Sequence, residues 1–381
     1  MCVNRIQTNT CIRVKCVIKY CRKEKPTGYD KKVRGFDMSA EGSGIIRIFA
    51  GSTGRSFAMK MCQYLGVPLG DSRTFRFSDN NIFVRINETI RDKDVYLVQP
   101  IGEDPNNEFV ELLFWLDAFK RASANSVTAI IPFFGYAKGD KKDEPRVSIR
   151  ARVCADCIEV AGADRVIVMD LHSPQVQGFF RKPVDHLYAR TLLCEYVRRA
   201  NLVDDNTVVV SPDGGFAKSA RAFADELGVP VAIGDKIRTG HDENAKIMSV
   251  IGDVEGKNCF IVDDFTISGG TLVDVANALK AKGAKRIFCG LSHIMLKEEG
   301  LRKIENSPIE FIVSTDTVRC PFEGKTDKIR IVSVAPLFAE TVRRIHDREG
   351  IGELLANIPE RVLDQSFAQQ LSFSDCTDKG V

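Results

Sequence analysis

Apolar residues along the chain alternate between two patterns. The first is the short continuous run: IIRIFAG (45–51), DVYLVQP (94–100), SVTAIIPFFGYA (126–137), RVIVMDL (165–171), TVVVSPD (207–213), VPVAIGDK (229–236), NCFIVDD (258–264) and KRIFCGLSHI (285–294). Such runs predict strands buried on both faces. The second pattern recurs at helical spacing. It covers the stretch ending at Leu65 and stopped by Gly66, then EFVELLFWLDAFKRA (108–122), RARVCADCIEVAGA (150–163), LYARTLLCEYVRRA (187–200), SARAFADELG (219–228), TLVDVANALKAKGA (271–284) and PLFAETVRRIHDREGIGELL (336–355). Segment 108–122 is apolar nearly all the way round, which predicts burial on more than one side. TFRFSDNNIFVRI (74–86) reads as less regular strands. Strands alternating with helices of this length build β-α-β units, hence an α/β fold whose parallel sheets carry helices on both faces.

The two halves share this order. DVYLVQP, a loop and LDAFKRASANSVTAIIP parallel CFIVDDF, a loop and VANALKAKGAKRIFCGL. We therefore expect two similar α/β domains, 45–188 and 189–335, with a closing helix in 336–359. Residues 1–44 read as a disordered basic extension, and 360–381 as a polar, frayed tail.

Composition narrows the class. At 381 residues and 44% apolar, the chain can fill two sizeable cores. No stretch approaches the ~18 uncharged apolar residues of a membrane helix, so no membrane partner is expected. The net charge of +3 is unevenly spread. Residues 1–44 hold ten basic against four acidic residues, which leaves the body slightly acidic. That argues against nucleic acid as a partner, because such binding needs a broad basic surface. Twelve cysteines form no spaced framework and read as reduced intracellular thiols. Cys154 and Cys157 read as two helix cysteines, there being no second pair to complete a zinc site. The N-terminus lacks the apolar segment of a secretory signal. It fits a transit peptide, a disordered arm or an upstream extension, with Met38 a possible start. A cytoplasmic location is expected, and organellar targeting by residues 1–44 stays open.

The sharpest chemical signal is CFIVDDFTISGGT (259–271). A buried strand delivers Asp263 and Asp264 at its carboxyl end, where open α/β sheets bind ligands. Ser268, Gly269, Gly270 and Thr271 follow, then a helix. Glycines let backbone amides curl around a phosphate, and the helix N-terminus favours the anion. Acids beside a phosphate cradle suit sugar hydroxyls or Mg²⁺. The segment reads as a ribose 5-phosphate site. The plainer alternative is that the acids cap the helix and the glycines make a tight turn.

This segment resembles the binding motif of the phosphoribosyl diphosphate family, and the rest of the chain resembles its ribose-phosphate diphosphokinases. The matching runs are FSDNNIFVRINETIRDKDVYLVQ (77–99), LLFWLDAFKRASA (112–124), PFFGYAKGDKK (132–142), DLHSPQVQGFF (170–180), VDHL (184–187), VVSPDGG (209–215), GDKIR (234–238) and SVAPLFAETVRRIH (333–346). The resemblance spans 45–355. It implies two domains of the phosphoribosyltransferase type and a Mg²⁺-dependent transfer of the diphosphoryl group of ATP to O1 of ribose 5-phosphate, releasing AMP. It also implies a homo-oligomer, a hexamer or one built from dimers.

The resemblance further implies roles for single residues. His172, Asp170 and Asp213 would hold the metal. Asp79, Asn81, Lys138, Gly139, Asp140 and His172 would meet ATP, Asp79 from a neighbouring subunit. Arg238, Asp263, Asp264, Ile267, Ser268, Gly269, Gly270 and Thr271 would meet ribose 5-phosphate. Lys236 and Arg238, in a polar loop after a strand, would neutralise charge on the transferring phosphates.

Three positions depart from the family's pattern. Asp79-Asn80-Asn81 replaces Asp-Gly-Glu, Lys138-Gly139 replaces Arg-Gln, and Ile267 replaces an aspartate. Lys cannot substitute for the planar guanidinium. Two other functions remain open at this point: a catalytically silent regulatory subunit of the family, and a phosphoribosyltransferase.

Overall fold

The computed structural model describes residues 46–238, 246–355 and 357–374. The expected extension, 1–44, lies outside the described residues, as does loop 239–245. The first half runs β1 (Ile46–Ala50), α1 (Arg55–Leu65), β2 (Ser72–Arg76), β3 (Ile82–Ile86), β4 (Asp94–Val98), α2 (Pro105–Arg121), β5 (Ser126–Ile131), α3 (Arg150–Ala161), β6 (Arg165–Met169), β7 (Val184–Leu187) and α4 (Arg190–Arg199). The second runs β8 (Thr207–Ser211), α5 (Ala217–Leu227), β9 (Val231–Arg238), β10 (Lys246–Ile251), β11 (Asn258–Thr266), α6 (Gly270–Ala281), β12 (Arg286–Ile294), α7 (Glu298–Glu305), β13 (Ile312–Thr315), β14 (Ile329–Val332) and α8 (Ala335–His346). Last comes α9 (Glu360–Ser374).

Each half has one main sheet, β1-β4-β5-β6-β7 and β10-β9-β8-β11-β12-β13-β14, parallel except where β10 pairs β9. Strand alternation divides the side chains between two cores. In β11, Cys259 and Ile261 enter a cluster with α6, while Phe260 and Val262 face the opposite way. That opposite cluster is shared. It joins α1, α4, α5, α8 and α9 between the two sheets, while the outer face of the first sheet packs on α2 and α3. Both sheets are therefore covered on both faces.

The duplication shows in the element order. Strand, helix and antiparallel hairpin open each half, β2–β3 in the first and β9–β10 in the second. It also shows in one side-chain bond. Asp170, just after β6, accepts the amide N–H of Ala189, which precedes α4, at 2.9 Å. Asp316, just after β13, accepts that of Val334, which precedes α8, at 2.8 Å.

Several expectations need correction. The end of the chain is not a frayed tail throughout: α9 buries Val362, Leu363 and Phe367 in the shared core. Its apolar residues are few but lie on one face. Helix α2 is not buried all round, since Val110 and Phe114 stand 39% and 45% exposed. The closing helix ends at His346. Lys236 and Arg238 belong to a strand, not to a loop: their backbones pair opposite Met248 and Lys246 of β10. The strand runs two residues past the expected 229–236. Cys154 is buried and Cys157 half-buried, and both are free thiols.

Candidate active site

The carboxyl end of β11 is where the second half changes from apolar core to polar surface. Asp263 and Asp264 come first, then Phe265 and Thr266, and α6 begins at Gly270. The intervening turn is held by its own side chains. Thr266 Oγ1 accepts the Gly269 amide at 3.2 Å, and Ser268 Oγ accepts the Gly270 amide at 3.4 Å. Gly269 has φ 70°, where a side chain would be strained, and its Cβ would also crowd Ile304 at 3.2 Å. Helix α6 has no side-chain cap and no acid in its first turn, so its N-terminus favours an anion.

This turn walls a cavity of about 460 Å³. Asp263, Asp264, Ile267, Ser268, Gly270 and Thr271 line it, with Asp213 from the β8–α5 loop and His172 from the first half. Asp213 Oδ1 accepts the amides of Gly215 and Phe216 at 2.9 and 3.2 Å, which fixes the carboxylate at the mouth of α5. His172 Nδ1 lies 2.7 Å from Asp264 Oδ2. That hydrogen bond raises the imidazole's pKa, against the opposing pull of burial. Burial pushes the Asp263 carboxyl far above the usual carboxylate range, and the neighbouring Asp264 charge adds to this. A bound cation or a ring of sugar hydroxyls would relieve the repulsion.

Lys138 reaches the same region from the first half. Its Nζ sits 3.6 Å from the centroid of Phe265, and burial lowers its pKa. Phe265 also meets the His172 ring edge-on, at 5.6 Å. Sequence reasoning gave Phe265 no role. The signal was available: it follows two acids at a strand end that faces the cavity. Gly139 is required by packing, since a Cβ there would stand 2.6 Å from Arg150 Nε and 2.9 Å from its Cβ. The charge of Asp140 contributes to the raised pKa of His172.

Asp170 is not brought into the cavity. Besides the Ala189 amide, its Oδ2 accepts Ser292 Oγ at 2.6 Å, and burial lifts its pKa to about 6. Its counterpart Asp316 accepts Ser333 Oγ at 2.6 Å, a serine of its own half, whereas Ser292 belongs to β12 of the other half. The bond to the amide before the next helix recurs in both halves, and Asp170 is not among the residues that line the cavity. Asp79 and Asn81 also lie elsewhere, on the exposed β2–β3 tip. There Asp79 accepts both the amide and the side-chain N–H of Asn81, at 3.0 and 2.6 Å.

The remaining donors suit Mg²⁺. Asp213 and Asp263 are carboxylates on one cavity, and His172 has a second ring nitrogen. Among the described residues no three such side chains converge on one point. Mg²⁺ needs no such cage, because it takes one or two protein carboxylates and completes its shell from substrate phosphates and water.

Comparison with known proteins matches both halves. Residues 46–162 match the family model described as the N-terminal domain of ribose phosphate pyrophosphokinase, and 241–356 match the phosphoribosyl synthetase-associated domain. The ribose-phosphate pyrophosphokinase of Caldanaerobacter subterraneus subsp. tengcongensis is 44% identical over 309 residues, 81% of this chain and 97% of its own. That of Clostridium acetobutylicum is 44% identical over 302 residues, 79% of this chain and 94% of its own. The crystal structure of phosphoribosylpyrophosphate synthetase from Mycobacterium smegmatis superposes with a TM-score of 0.75 at 35% identity, covering 80% of this chain and 99% of that one.

Proposed function

The chain belongs to the ribose-phosphate pyrophosphokinase family and transfers the diphosphoryl group of ATP to O1 of ribose 5-phosphate, and we propose that it does so in the cavity between β11, the α5 mouth and His172. The observation that carries this assignment is the convergence of Asp213, Asp263, Asp264 and the 267–271 turn on one cavity that also receives His172. The 5-phosphate sits on the turn at the α6 N-terminus. The ribose hydroxyls donate to Asp263 and Asp264. Neutral His172 donates from Nδ1 to Asp264 and holds it in place.

Asp213, Asp263 and the free nitrogen of His172 would hold Mg²⁺, which when bound neutralises phosphate charge and orients the diphosphoryl group. Lys138, Gly139 and Asp140 lie on the ATP side. Lys236 and Arg238, at the end of β9, stabilise charge on the transferring oxygens. The ribose O1 hydroxyl attacks the β-phosphorus, the bond from that phosphorus to the α,β-bridging oxygen breaks, and AMP leaves. Asp79 and Asn81 reach a neighbouring subunit's nucleotide in a homo-oligomer. In support, Phe75, Phe77 and Phe83 cluster exposed on the same hairpin. Among the described residues no helix is long and apolar enough to cross a membrane.

A silent regulatory subunit is disfavoured because Asp213, Asp263, Asp264 and His172 line one cavity and the chain carries Lys236 and Arg238. A lone phosphoribosyltransferase domain is disfavoured because both halves match one synthetase. The test is Asp264→Asn beside wild type, with KM for ribose 5-phosphate and for ATP measured separately. A large rise for the sugar phosphate with little change for ATP is expected. Equal effects on both, or none, would move the sugar site elsewhere.

A further inference from the structure

The duplication that built the catalytic cavity leaves a second cavity in the corresponding place. Element order equates β8–α5 with β1–α1, and β11–α6 with β4–α2. The catalytic cavity is walled by the first member of each pair and takes His172 from beyond β6. The second cavity, of about 850 Å³, is walled by the β1–α1 loop and by Glu103 of the β4–α2 loop. It takes Arg319 from beyond β13, the counterpart of β6.

Its chemistry differs in sign. Gln99 and Pro100 follow β4 where Asp263 and Asp264 close β11. This cavity has Arg55, Lys60 and Arg319 against the single acid Glu103. Lys60 is held 2.8 Å from Asp316. Arg55 and Arg319 are exposed and form no ion pair among the described residues. Helix α1, like α6, opens after a glycine, with no side-chain cap and no first-turn acid. The other wall is apolar, with Met59, Val67 and Leu69. The volume falls within the ~300–1,000 Å³ of small-molecule sites.

We propose that this cavity binds a phosphate-bearing small molecule, its phosphate between Arg55 and Arg319 and its organic part against Met59 and Leu69. Arginine's planar fork suits two phosphate oxygens at once, and two such groups with no competing carboxylate bonded to them are poised for a dianion. The inference uses the geometry of the duplicated frame and does not depend on catalysis.

The probe is labelled inorganic phosphate, in equilibrium dialysis against the full chain. Wild type should hold one more phosphate per chain than Arg55→Ala/Arg319→Ala, and Arg55→Lys/Arg319→Lys should hold it more weakly than wild type, because the charge remains but the planar fork is lost. Arg319→Glu alone should weaken the same phosphate at least about tenfold, which gives a second route if the double variant is unstable. Unlabelled ribose 5-phosphate and AMP then compete for this phosphate. Displacement by either identifies an organic phosphate as the ligand, and displacement by neither contradicts the assigned apolar contact. Equal stoichiometry in wild type and the alanine pair would overturn the proposal. The phosphate left in the alanine pair reports on the catalytic turn, so failure of that assignment is read separately.

Discussion

Asp264 joins the two halves of the active site. Its Oδ2 takes His172 at 2.7 Å and its Oδ1 takes the amide of Phe265 at 2.8 Å, so its position follows both the β11 strand end and the loop after β6. Ile267, three residues on, is different. It stands 43% exposed on the cavity wall. A carboxylate there could hydrogen-bond within the turn or to the sugar. Such a bond to a charged group is worth about 1.5–3 kcal/mol, on the order of tenfold or more in rate. Ile267→Asp is expected to raise kcat/KM for ribose 5-phosphate, to leave KM for ATP nearly unchanged and to keep the melting point. A lower melting point with no kinetic gain would show the side chain to be structural. Lys236→Ala should lower kcat by about 10³ or more while shifting both KM values only modestly, because groups that stabilise charge in phosphoryl transfer can be worth about 10³–10⁵. A variant within threefold of wild type in kcat would remove Lys236 from the catalytic set.

At the scale of elements, the joint after β6 separates support from chemistry. If Asp170 belongs to the frame, Asp170→Asn keeps its acceptor oxygen for Ala189 and changes the apparent Mg²⁺ requirement less than twofold. A strong loss of Mg²⁺ affinity would restore Asp170 as a ligand. Its pKa of about 6 adds a pH test. The folded state holds this proton above the ~3.9 at which an unfolded aspartate releases it. Folding therefore takes up a proton between those values, and wild type loses stability relative to Asp170→Asn as pH rises from about 4 through 6. Melting curves at pH 4.5 and 7 give the sign directly.

The strands and helices of both halves were legible because buried parallel strands read as unbroken apolar runs. The acidic turn was legible because two acids before a glycine pair have few plain explanations. What was missed shares one cause. Strands β7, β13 and β14 are four residues each, too short to show a period. β10 was hidden because only its pairing with β9 makes 236–238 extended. The bond of Asp170 to the Ala189 amide could not be read from a motif that places it two residues from His172. It became visible beside Asp316, an equivalence that needs coordinates.

At the scale of the whole molecule, one frame has been used twice with different loops. The shared core between the sheets ties the halves, and α9 closes it. Phe367 is buried there, so Phe367→Ala should cost about 3–5 kcal/mol and lower the melting point without altering KM values. An unchanged melting point would mean α9 is not part of the core. The acidic turn and the Lys236–Arg238 strand end both lie in the second half, while His172 and Lys138 come from the first. Neither half alone holds all of the proposed site. The first 37 residues carry no motif, and a chain beginning at Met38 should fold and keep more than half of the activity; loss of either would give the extension a part in the enzyme.

The account stands on the transfer of two phosphoryl groups together. Purified full-length protein is mixed with ribose 5-phosphate, Mg²⁺ and ATP labelled at the γ-phosphate. The expected result is equal amounts of unlabelled AMP and labelled 5-phosphoribosyl 1-diphosphate, dependent on ribose 5-phosphate. Release of labelled inorganic phosphate with ADP, or no AMP at all under these conditions, would contradict it.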